Sequence, residues 1–213
     1  MTKLLIIRHG QSEANLQGIF VGHTDSPLSD HGKQQAEVTA DYIVNNFHVD
    51  AVYSSDLERA VYTGKAVADR LGMTVTTRKG MREIFAGDWE TVKFDTLSTE
   101  YGEPYQLWLR DIGLAHPTNG ESTAQLQQRI ADTLRTIAEE NDGKTVVVAT
   151  HATPIRTFMH YCSGLPLSEM KNIPWVSNAS VTTAVYENGS FTIVEAGHDD
   201  HLGDMRTALP KNV

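Results

Sequence analysis

Short runs of aliphatic residues alternate along this chain with segments of helical periodicity, and this alternation constrains the fold more than any other feature. The two clearest runs are LLII at residues 4–7 and TVVVAT at residues 145–150. Continuous apolar runs of this length are typical of strands that are buried on both faces of a parallel sheet. Weaker runs occupy residues 51–55 and 74–78. A chain that alternates strand and helix in this way predicts an α/β fold.

Four segments between or after these runs have helical periodicity: residues 29–47, 56–71, 122–141 and 154–163. Ser29 and Asp56 are predicted N-caps, and Gly72 is predicted to end the second helix. Near the C-terminus, two β-rich runs meet at Asn188-Gly189, a dipeptide that favours a tight hairpin turn. The sequence therefore predicts a three-layer αβα sandwich with a mostly parallel central sheet and an antiparallel edge strand.

Residues 84–121 do not follow the alternating pattern. They are rich in Gly, Pro, Trp and Tyr, and they contain one short helical piece at residues 105–112. We interpret this segment as an excursion over one end of the sheet rather than as a second domain. The chain has 213 residues, which fits one large domain, so we expect residues 1–213 to form a single domain.

Charge and cysteine content limit the classes of partner and compartment. The formal net charge of −9 disfavours binding to nucleic acid or to an anionic membrane, because both require a cationic surface. No stretch approaches the length of a membrane span, and the apolar run after Lys3 is too short for a signal peptide. Cys162 is the only cysteine, so no internal disulfide can form, which suits the cytoplasm. The oligomeric state cannot be read from the sequence, which is compatible with a homodimer.

Charged side chains stand at the carboxyl ends of the predicted strands, where ligands bind in open α/β sheets. Arg8, His9 and Gly10 follow the first strand, Arg59 lies about one turn into the helix after the second, and His151 follows the last parallel strand. Each residue taken alone is most simply a surface or core residue. Their joint position at strand ends instead favours a site for an anionic ligand.

The segment LLIIRHGQSEAN, residues 4–15, resembles the Arg-His-Gly signature of the histidine phosphatase superfamily, whose members include the phosphoglycerate mutases. Further segments resemble the family's motifs in the family's order: TDSPLSDHGKQQA at 24–36, SSDLERAVYTGKAVA at 54–68, MREIFAGDWE at 81–90 and VVVATHATPIR at 146–156. The resemblance covers roughly residues 3–160. It departs at Thr91 and Ala152, where the family commonly has glycine, and at His23; the first two positions concern loop geometry.

The resemblance implies a phosphohydrolase that uses no metal and no cofactor. His9 would be the nucleophile that forms a phosphohistidine, and its other ring nitrogen would donate to a backbone carbonyl near Gly10. Glu83 would be the general acid that protonates the leaving alcohol, and His151 would stabilise the transferring group. The expected phosphate-binding residues are Arg8, Asn15, Arg59 and the backbone of Ala152, because guanidinium forks and helix N-termini match phosphate oxygens.

Substrate selectivity is expected to depend on Gly22 and His23 and on aromatic residues of the excursion, among them Trp89 and Tyr105. A packed minor core formed by those aromatic residues is an equally good interpretation. The expected substrate is a small phosphorylated metabolite. Glu83 and His151 are only 68 positions apart, which resembles the compact phosphatases of the family more than its mutases.

Three alternatives remain open at this point. The first is phosphoryl transfer of the phosphoglycerate mutase type, and the second is a non-catalytic module that binds phosphorylated ligands. The third is a metal-dependent hydrolase, with His9, His151 and the HDDH segment at 198–201 as ligands. Paired ligand spacing is absent from the sequence and arginines beside a ligand would repel a cation, so the metal site is disfavoured.

Overall fold

A computed structural model of the chain describes residues 1–208. Its six strands are β1 (Thr2–Arg8), β2 (Ala51–Ser54), β3 (Val75–Thr77), β4 (Thr145–Thr150), β5 (Val181–Glu187) and β6 (Ser190–His198). Its α-helices are α1 (Glu13–Gln17), α2 (Asp30–Asn46), α3 (Glu58–Leu71), α4 (Phe94–Arg110), α5 (Thr123–Glu140) and α6 (Ala152–Ser163). Short 3₁₀ helices occupy Lys79–Met81, Gly87–Trp89, Ile112–Leu114, Leu167–Asn172 and Asp200–Met205.

The six strands form one sheet in the order β3-β2-β4-β1-β5-β6. The four strands from β3 to β1 are parallel, whereas β5 is antiparallel to β1 and β6 is antiparallel to β5. Asn188 and Gly189 join the last two strands with φ angles of 52° and 80°, as a two-residue hairpin turn with positive φ at both positions requires. The predicted α/β fold with a mostly parallel sheet and an antiparallel edge is confirmed.

Helices cover both faces of the sheet, which explains why the central strands are apolar without alternation. Leu4 and Ile6 of β1 pack into one cluster with residues of α5 and α6. Leu5 and Ile7 point to the opposite face and pack with residues of α2 and α3. Each of these four side chains is at most 1% exposed. Packing on both faces therefore fixes the position of β1. As a result, the residues that follow Ile7 are held at the carboxyl edge of the sheet.

The excursion is more helical than the sequence predicts. Instead of a short piece at 105–112, α4 runs from Phe94 to Arg110, with a kink at Gly102, whose φ of 48° interrupts the helix. Pro104 follows the kink and therefore falls in the first turn of a new helical segment, where proline is tolerated. Aromatic and aliphatic residues of the excursion form a third cluster, separate from the two on the sheet.

Several predicted helix ends need correction. Asp56 does not cap α3, whose N-cap is Leu57 without a side-chain bond; the Asp56 carboxylate instead pairs with Arg82 at 2.6 Å. The predicted caps at Ser29 and Gly72 are confirmed, and α6 begins at Ala152 rather than at residue 154. The short helix α1 was not predicted.

Within the described residues, no helix is both long enough and apolar enough to cross a membrane. The prediction of one domain over residues 1–213 stays a prediction, because its last five residues lie outside the described part of the chain.

Candidate active site

The carboxyl ends of β1 and β4 and the first turn of α3 open into a cavity of about 510 Å³. Six of the predicted site residues line it: Arg8, His9, Asn15, Arg59, Glu83 and Ala152. His151 is fully buried beside His9, with ring centroids 5.1 Å apart in an edge-to-face arrangement. The structure therefore brings the predicted catalytic and phosphate-binding residues into one place.

The ring of His9 is held in one tautomer. Its Nδ1 lies 2.7 Å from the carbonyl oxygen of Gly10, and because a carbonyl only accepts, Nδ1 carries the proton and Nε2 has a free lone pair. Burial lowers the pKa of His9 well below its ordinary value, and the charges of Arg59 and Arg8 lower it further. The neutral imidazole that nucleophilic attack requires is therefore the favoured form.

The backbone at Gly10 is packed too closely for any side chain. A Cβ atom at this position would lie 2.2 Å from the carbonyl oxygen of Gly32 in α2, a distance that only glycine avoids. The amide N–H of Gly10 donates to the Thr63 hydroxyl of α3 at 3.2 Å. Contacts with α2 and α3 thus fix the turn that presents the His9 ring.

Both arginines are buried and oriented by backbone carbonyls. Arg59 is 1% exposed, and its two terminal nitrogens donate to Gly22 at 2.8 Å and to Thr24 at 3.1 Å. Arg8 donates to Val176 at 2.6 Å, and its Nε has no partner among residues 1–208. Burial lowers the pKa of Arg8 to about 10, which still leaves it protonated at neutral pH. The site therefore keeps two cations beside the buried carboxyl group of Glu83.

Glu90 was not predicted as a site residue, but it holds the loop that orients Arg59. Its carboxylate accepts the N–H groups of Gly22, His23 and Thr24 at 3.0, 2.7 and 3.1 Å. These bonds lower the pKa of Glu90 although burial opposes them. The same carboxylate accepts the N–H of Ala86 at 3.2 Å, so it also fixes the backbone of the segment that follows Glu83.

Glu83 is buried at the cavity wall, with 8% of its surface exposed. One carboxyl oxygen accepts the N–H of Ile84 at 2.8 Å, and the other accepts the N–H of Thr153 at 3.3 Å. Burial raises the pKa of Glu83, and the hydrogen bonds and the charge of Arg59 offset only part of this rise. A carboxyl group with a raised pKa can hold and deliver a proton, as a general acid must.

The ring of His151 has no hydrogen-bond partner for either nitrogen among the described residues, although it is completely buried. Buried polar atoms are normally paired, so the ring is free to bond to a ligand. Burial lowers the pKa of His151 well below its ordinary value, and the charge of Arg59 lowers it further. In this state the ring is neutral and can still donate one hydrogen bond from its N–H group.

Asn15 and Ala152 supply uncharged groups. The Asn15 amide oxygen accepts from the Ser12 N–H at 3.2 Å and from the Asn178 side chain at 3.3 Å, so its amide nitrogen remains available to donate. Asn178, which the sequence did not single out, also lines the cavity and donates to the carbonyl of His9 at 3.0 Å. Ala152 is the first residue of the twelve-residue helix α6, whose N-terminus favours an anion.

The predicted selectivity residues lie elsewhere. Trp89 and Tyr105 are 0% and 1% exposed in the third hydrophobic cluster, and neither is among the residues that line the cavity. Gly22 contributes its carbonyl to Arg59. The His23 ring donates to the carbonyl of Glu83 at 3.0 Å and packs on Phe85, so it lies behind the carboxyl group.

The structure gives no support to the alternative metal site. Among the described residues, no group of three or more His, Cys, Asp or Glu side chains could hold a metal ion. In the HDDH segment, His201 stacks on Tyr42 of α2 with centroids 4.5 Å apart and bonds to the Thr39 hydroxyl at 2.9 Å. This segment therefore packs against α2.

The site lies at the carboxyl edge of a parallel sheet and combines two buried arginines, two adjacent histidines and a buried carboxyl group. This arrangement is typical of an α/β enzyme that acts on phosphate esters. Comparison with known protein families identifies the class: the sequence profile of the histidine phosphatase superfamily (branch 1) matches residues 4–199. The chain belongs to this family.

Similar proteins agree with this assignment over most of the chain. Phosphoserine phosphatase 1 of Hydrogenobacter thermophilus is 30% identical over 215 residues, and the alignment covers 100% of this chain and 100% of that protein. The adenosylcobalamin/alpha-ribazole phosphatase of Escherichia coli is 30% identical over 168 residues, which cover 79% of this chain and 82% of that protein. The solved structure of Bacillus stearothermophilus YhfR superposes with a TM-score of 0.90 at 27% identity, covering 95% of this chain and 100% of the other.

Proposed function

We propose that this protein is a metal-independent phosphomonoester hydrolase that acts on a small phosphorylated metabolite through a phosphohistidine at His9. The observation that carries the proposal is the bond from His9 Nδ1 to the Gly10 carbonyl, which leaves Nε2 as an unprotonated nucleophile in a cavity lined by Arg8 and Arg59. Two guanidinium groups neutralise a phosphate dianion without a metal ion, and their donor forks match the equatorial oxygens of the transferring group.

The first half-reaction transfers the phosphoryl group to His9. Nε2 attacks phosphorus in line with the ester oxygen, the P–N bond forms as the P–O bond breaks, and Glu83 gives its proton to the departing alcohol. Arg8, Arg59 and the N–H of His151 stabilise the charge on the transferring oxygens. A bound phosphate also offsets the arginine charges that, together with burial, lower the pKa values of both histidines.

The second half-reaction returns the enzyme to its starting state. Glu83, now ionised, removes a proton from a water molecule that attacks phosphorus, and the P–N bond breaks to release phosphate and neutral His9. The two curated relatives described above are both named as phosphatases, which supports hydrolysis over mutase transfer. Arg8, His9, Arg59 and Glu83 line one cavity, and His151 lies beside His9; this combination supports catalysis over a binding-only role.

The test is turnover of 4-nitrophenyl phosphate in excess chelator by the wild type, by His9→Ala and by His48→Ala. His48 is a matched control, because its side chain is 90% exposed and it lies outside the cavity lining. We expect the wild type and His48→Ala to turn over, and His9→Ala to lose about 10³-fold or more, as removal of a nucleophile does. Acid-labile, base-stable label from a ³²P-phosphate ester should appear on the wild type and on His48→Ala but not on His9→Ala.

Two outcomes would contradict the proposal. Loss of wild-type turnover in chelator would indicate a metal-dependent reaction, and label retained by His9→Ala would place the nucleophile elsewhere.

We also propose a cytoplasmic location, on the ground that Cys162 is the only cysteine and is unpaired.

A further inference from the structure

The cavity has a second end that the phosphate chemistry does not use. Away from His9, its walls are formed by aromatic and aliphatic side chains, chiefly Phe20, Phe94, Trp108 and Trp175. Phe20 packs against Phe94 and Trp108 with centroids 5.3 Å away in each case. This wall lies where the alcohol portion of a bound ester must lie, because the phosphate end is occupied by the arginines and His9.

Trp175 is the wall residue whose position is most specifically fixed. The guanidinium of Arg156 stacks on its indole, with Cζ 4.4 Å from the ring centroid, a favourable contact for a desolvated cation. Arg156 is only 6% exposed, and it donates to the carbonyls of Ile173, Met170 and Lys171 at 2.7, 3.2 and 3.3 Å. One buried side chain thus holds both the indole and the backbone that precedes it.

Arg156 also connects this wall to the phosphate end. It lies one turn along α6 from Ala152 and Thr153, which line the cavity at the start of that helix. The Thr153 N–H donates to Glu83. The helix that contacts the proposed acid catalyst therefore also sets the position of the indole, so a ring stacked on Trp175 would have a fixed distance to the reacting phosphate.

Charged groups are few at this end and lie at its rim. Lys93 and Asp95 are the charged residues of the aromatic half of the lining, and neither is buried. Charges in contact with water are screened and contribute little to binding. A small zwitterionic alcohol would therefore gain little here, whereas an apolar ring would bury its surface against aromatic walls.

We propose that Trp175, positioned by Arg156, is a specificity-determining residue, and that the preferred substrates are phosphomonoesters whose alcohol carries an apolar ring. The proposal rests on the proposed function, since the ring must bind while the phosphate is at His9. Ring contacts made equally in the ground and transition states lower KM and leave kcat unchanged.

The experiment compares 2-phenylethyl phosphate with ethyl phosphate, because both release a primary alcohol and differ by the ring. O-phosphoserine is a third substrate that tests the zwitterion. In the wild type we expect kcat/KM for the phenylethyl ester to exceed that for each of the others by about tenfold or more, the scale of a ring held in an aromatic pocket. Trp175→Ala should reduce this ratio to about threefold or less through a rise in KM for the phenylethyl ester alone.

Trp175→Phe and Tyr62→Ala are the controls. Phenylalanine keeps an aromatic face and should restore most of the ratio, whereas Tyr62 is a partly exposed residue of α3 outside the cavity lining, so its truncation should change nothing. Arg156→Lys keeps the charge but not the planar fork, and it should raise KM for the phenylethyl ester in the same direction as Trp175→Ala.

A wild-type ratio near one, or a ratio that Trp175→Ala leaves unchanged, would overturn the assignment of Trp175. If phosphate release from ethyl phosphate still depended on His9 in that case, the proposed hydrolase would stand and only the selectivity would be wrong. If neither these three esters nor 4-nitrophenyl phosphate labelled His9, both proposals would be overturned together.

Discussion

The two ends of the cavity are built in different ways. At the phosphate end, Arg8, His9, Arg59 and Glu83 are all buried, and each is oriented by a hydrogen bond to the backbone. At the other end the walls are aromatic, and its charged residues lie at the rim. A buried charge without partners is costly, so the phosphate end tolerates few changes, whereas an apolar wall accepts other side chains of similar volume.

This contrast separates two kinds of substitution. Changes at the phosphate end should reduce turnover of every phosphomonoester by a similar factor, unless the altered group acts on the leaving alcohol, because all of them present the same phosphate. Changes at the aromatic end should alter the ranking of substrates and leave the chemical step intact. The following substitutions test that division, beginning with the largest expected effect.

Glu83→Gln should have the largest effect of these, and the size should depend on the leaving group. General acid catalysis contributes about 10²- to 10⁴-fold, so we expect a loss in this range in kcat/KM for ethyl phosphate. The loss should be much smaller for 4-nitrophenyl phosphate, whose phenolate leaves without a proton. Steady-state kinetics with both esters measure the difference; equal losses would contradict the role of Glu83 as the acid.

The pH profile should show the same carboxyl group. Burial raises the pKa of Glu83, and the proton donor is the protonated form, so kcat/KM for ethyl phosphate should fall as pH rises through that raised pKa, by about tenfold per unit beyond it. Below the raised pKa, Glu83 is protonated and active. Glu83→Gln should lack this alkaline limb, and a limb that persists in the variant would assign it to another group.

Glu90→Gln should reduce phosphate binding and turnover, although Glu90 is not among the residues that line the cavity. An amide offers one acceptor oxygen in place of two, so part of the set of N–H groups from Gly22, His23 and Thr24 loses its partner and the carbonyls that orient Arg59 shift. We expect about a tenfold loss in kcat/KM, equal for the ethyl and phenylethyl esters, and weaker inhibition by inorganic phosphate. A loss confined to one ester would break the division between the two ends.

Thr91→Gly should affect stability alone. Thr91 has a φ of 67°, a conformation that is costly for a β-branched residue and free of strain for glycine. Its N–H donates to the carbonyl of Phe20 at 2.8 Å, and the substitution retains this bond. We expect the free energy of unfolding to rise by about 0.5–1 kcal/mol, seen as an increase of about 1–4 °C in Tm. A lower Tm would show that the backbone there is not strained.

The parts that the sequence predicts are those with a regular pattern. Strands β1 and β4 are recognisable as apolar runs, and the ends of parallel strands meet at one edge, so the sequence alone places His9 and His151 together. Glu83 lies in a loop, and only the family resemblance indicated it. Trp175 and Asn178 lie in another loop, beyond the motifs, where no periodicity signals a role.

The predictions that the structure corrects failed because of contacts between residues that are distant in the sequence. Asp56 is a good N-cap by residue type, but a partner distant in sequence, Arg82, takes its carboxylate. Gly102 and Pro104 are helix breakers, yet a kink places both within α4. Trp89 and Tyr105 are fully buried inside the third cluster, so they do not reach the cavity. Local sequence patterns carry no information about such contacts between distant residues.

The position of β1 in the sheet has a consequence for synthesis of the protein. Its two neighbours, β4 and β5, begin at Thr145 and Val181, so a ribosome that has not yet passed Thr145 has made β1 but neither of its partner strands. The strand edges of β1 stay unpaired until both arrive, and non-local pairing of this kind is slow. His9 is thus translated early but acquires its surroundings late, so we expect incomplete chains that end before β4 to carry the proposed nucleophile without activity.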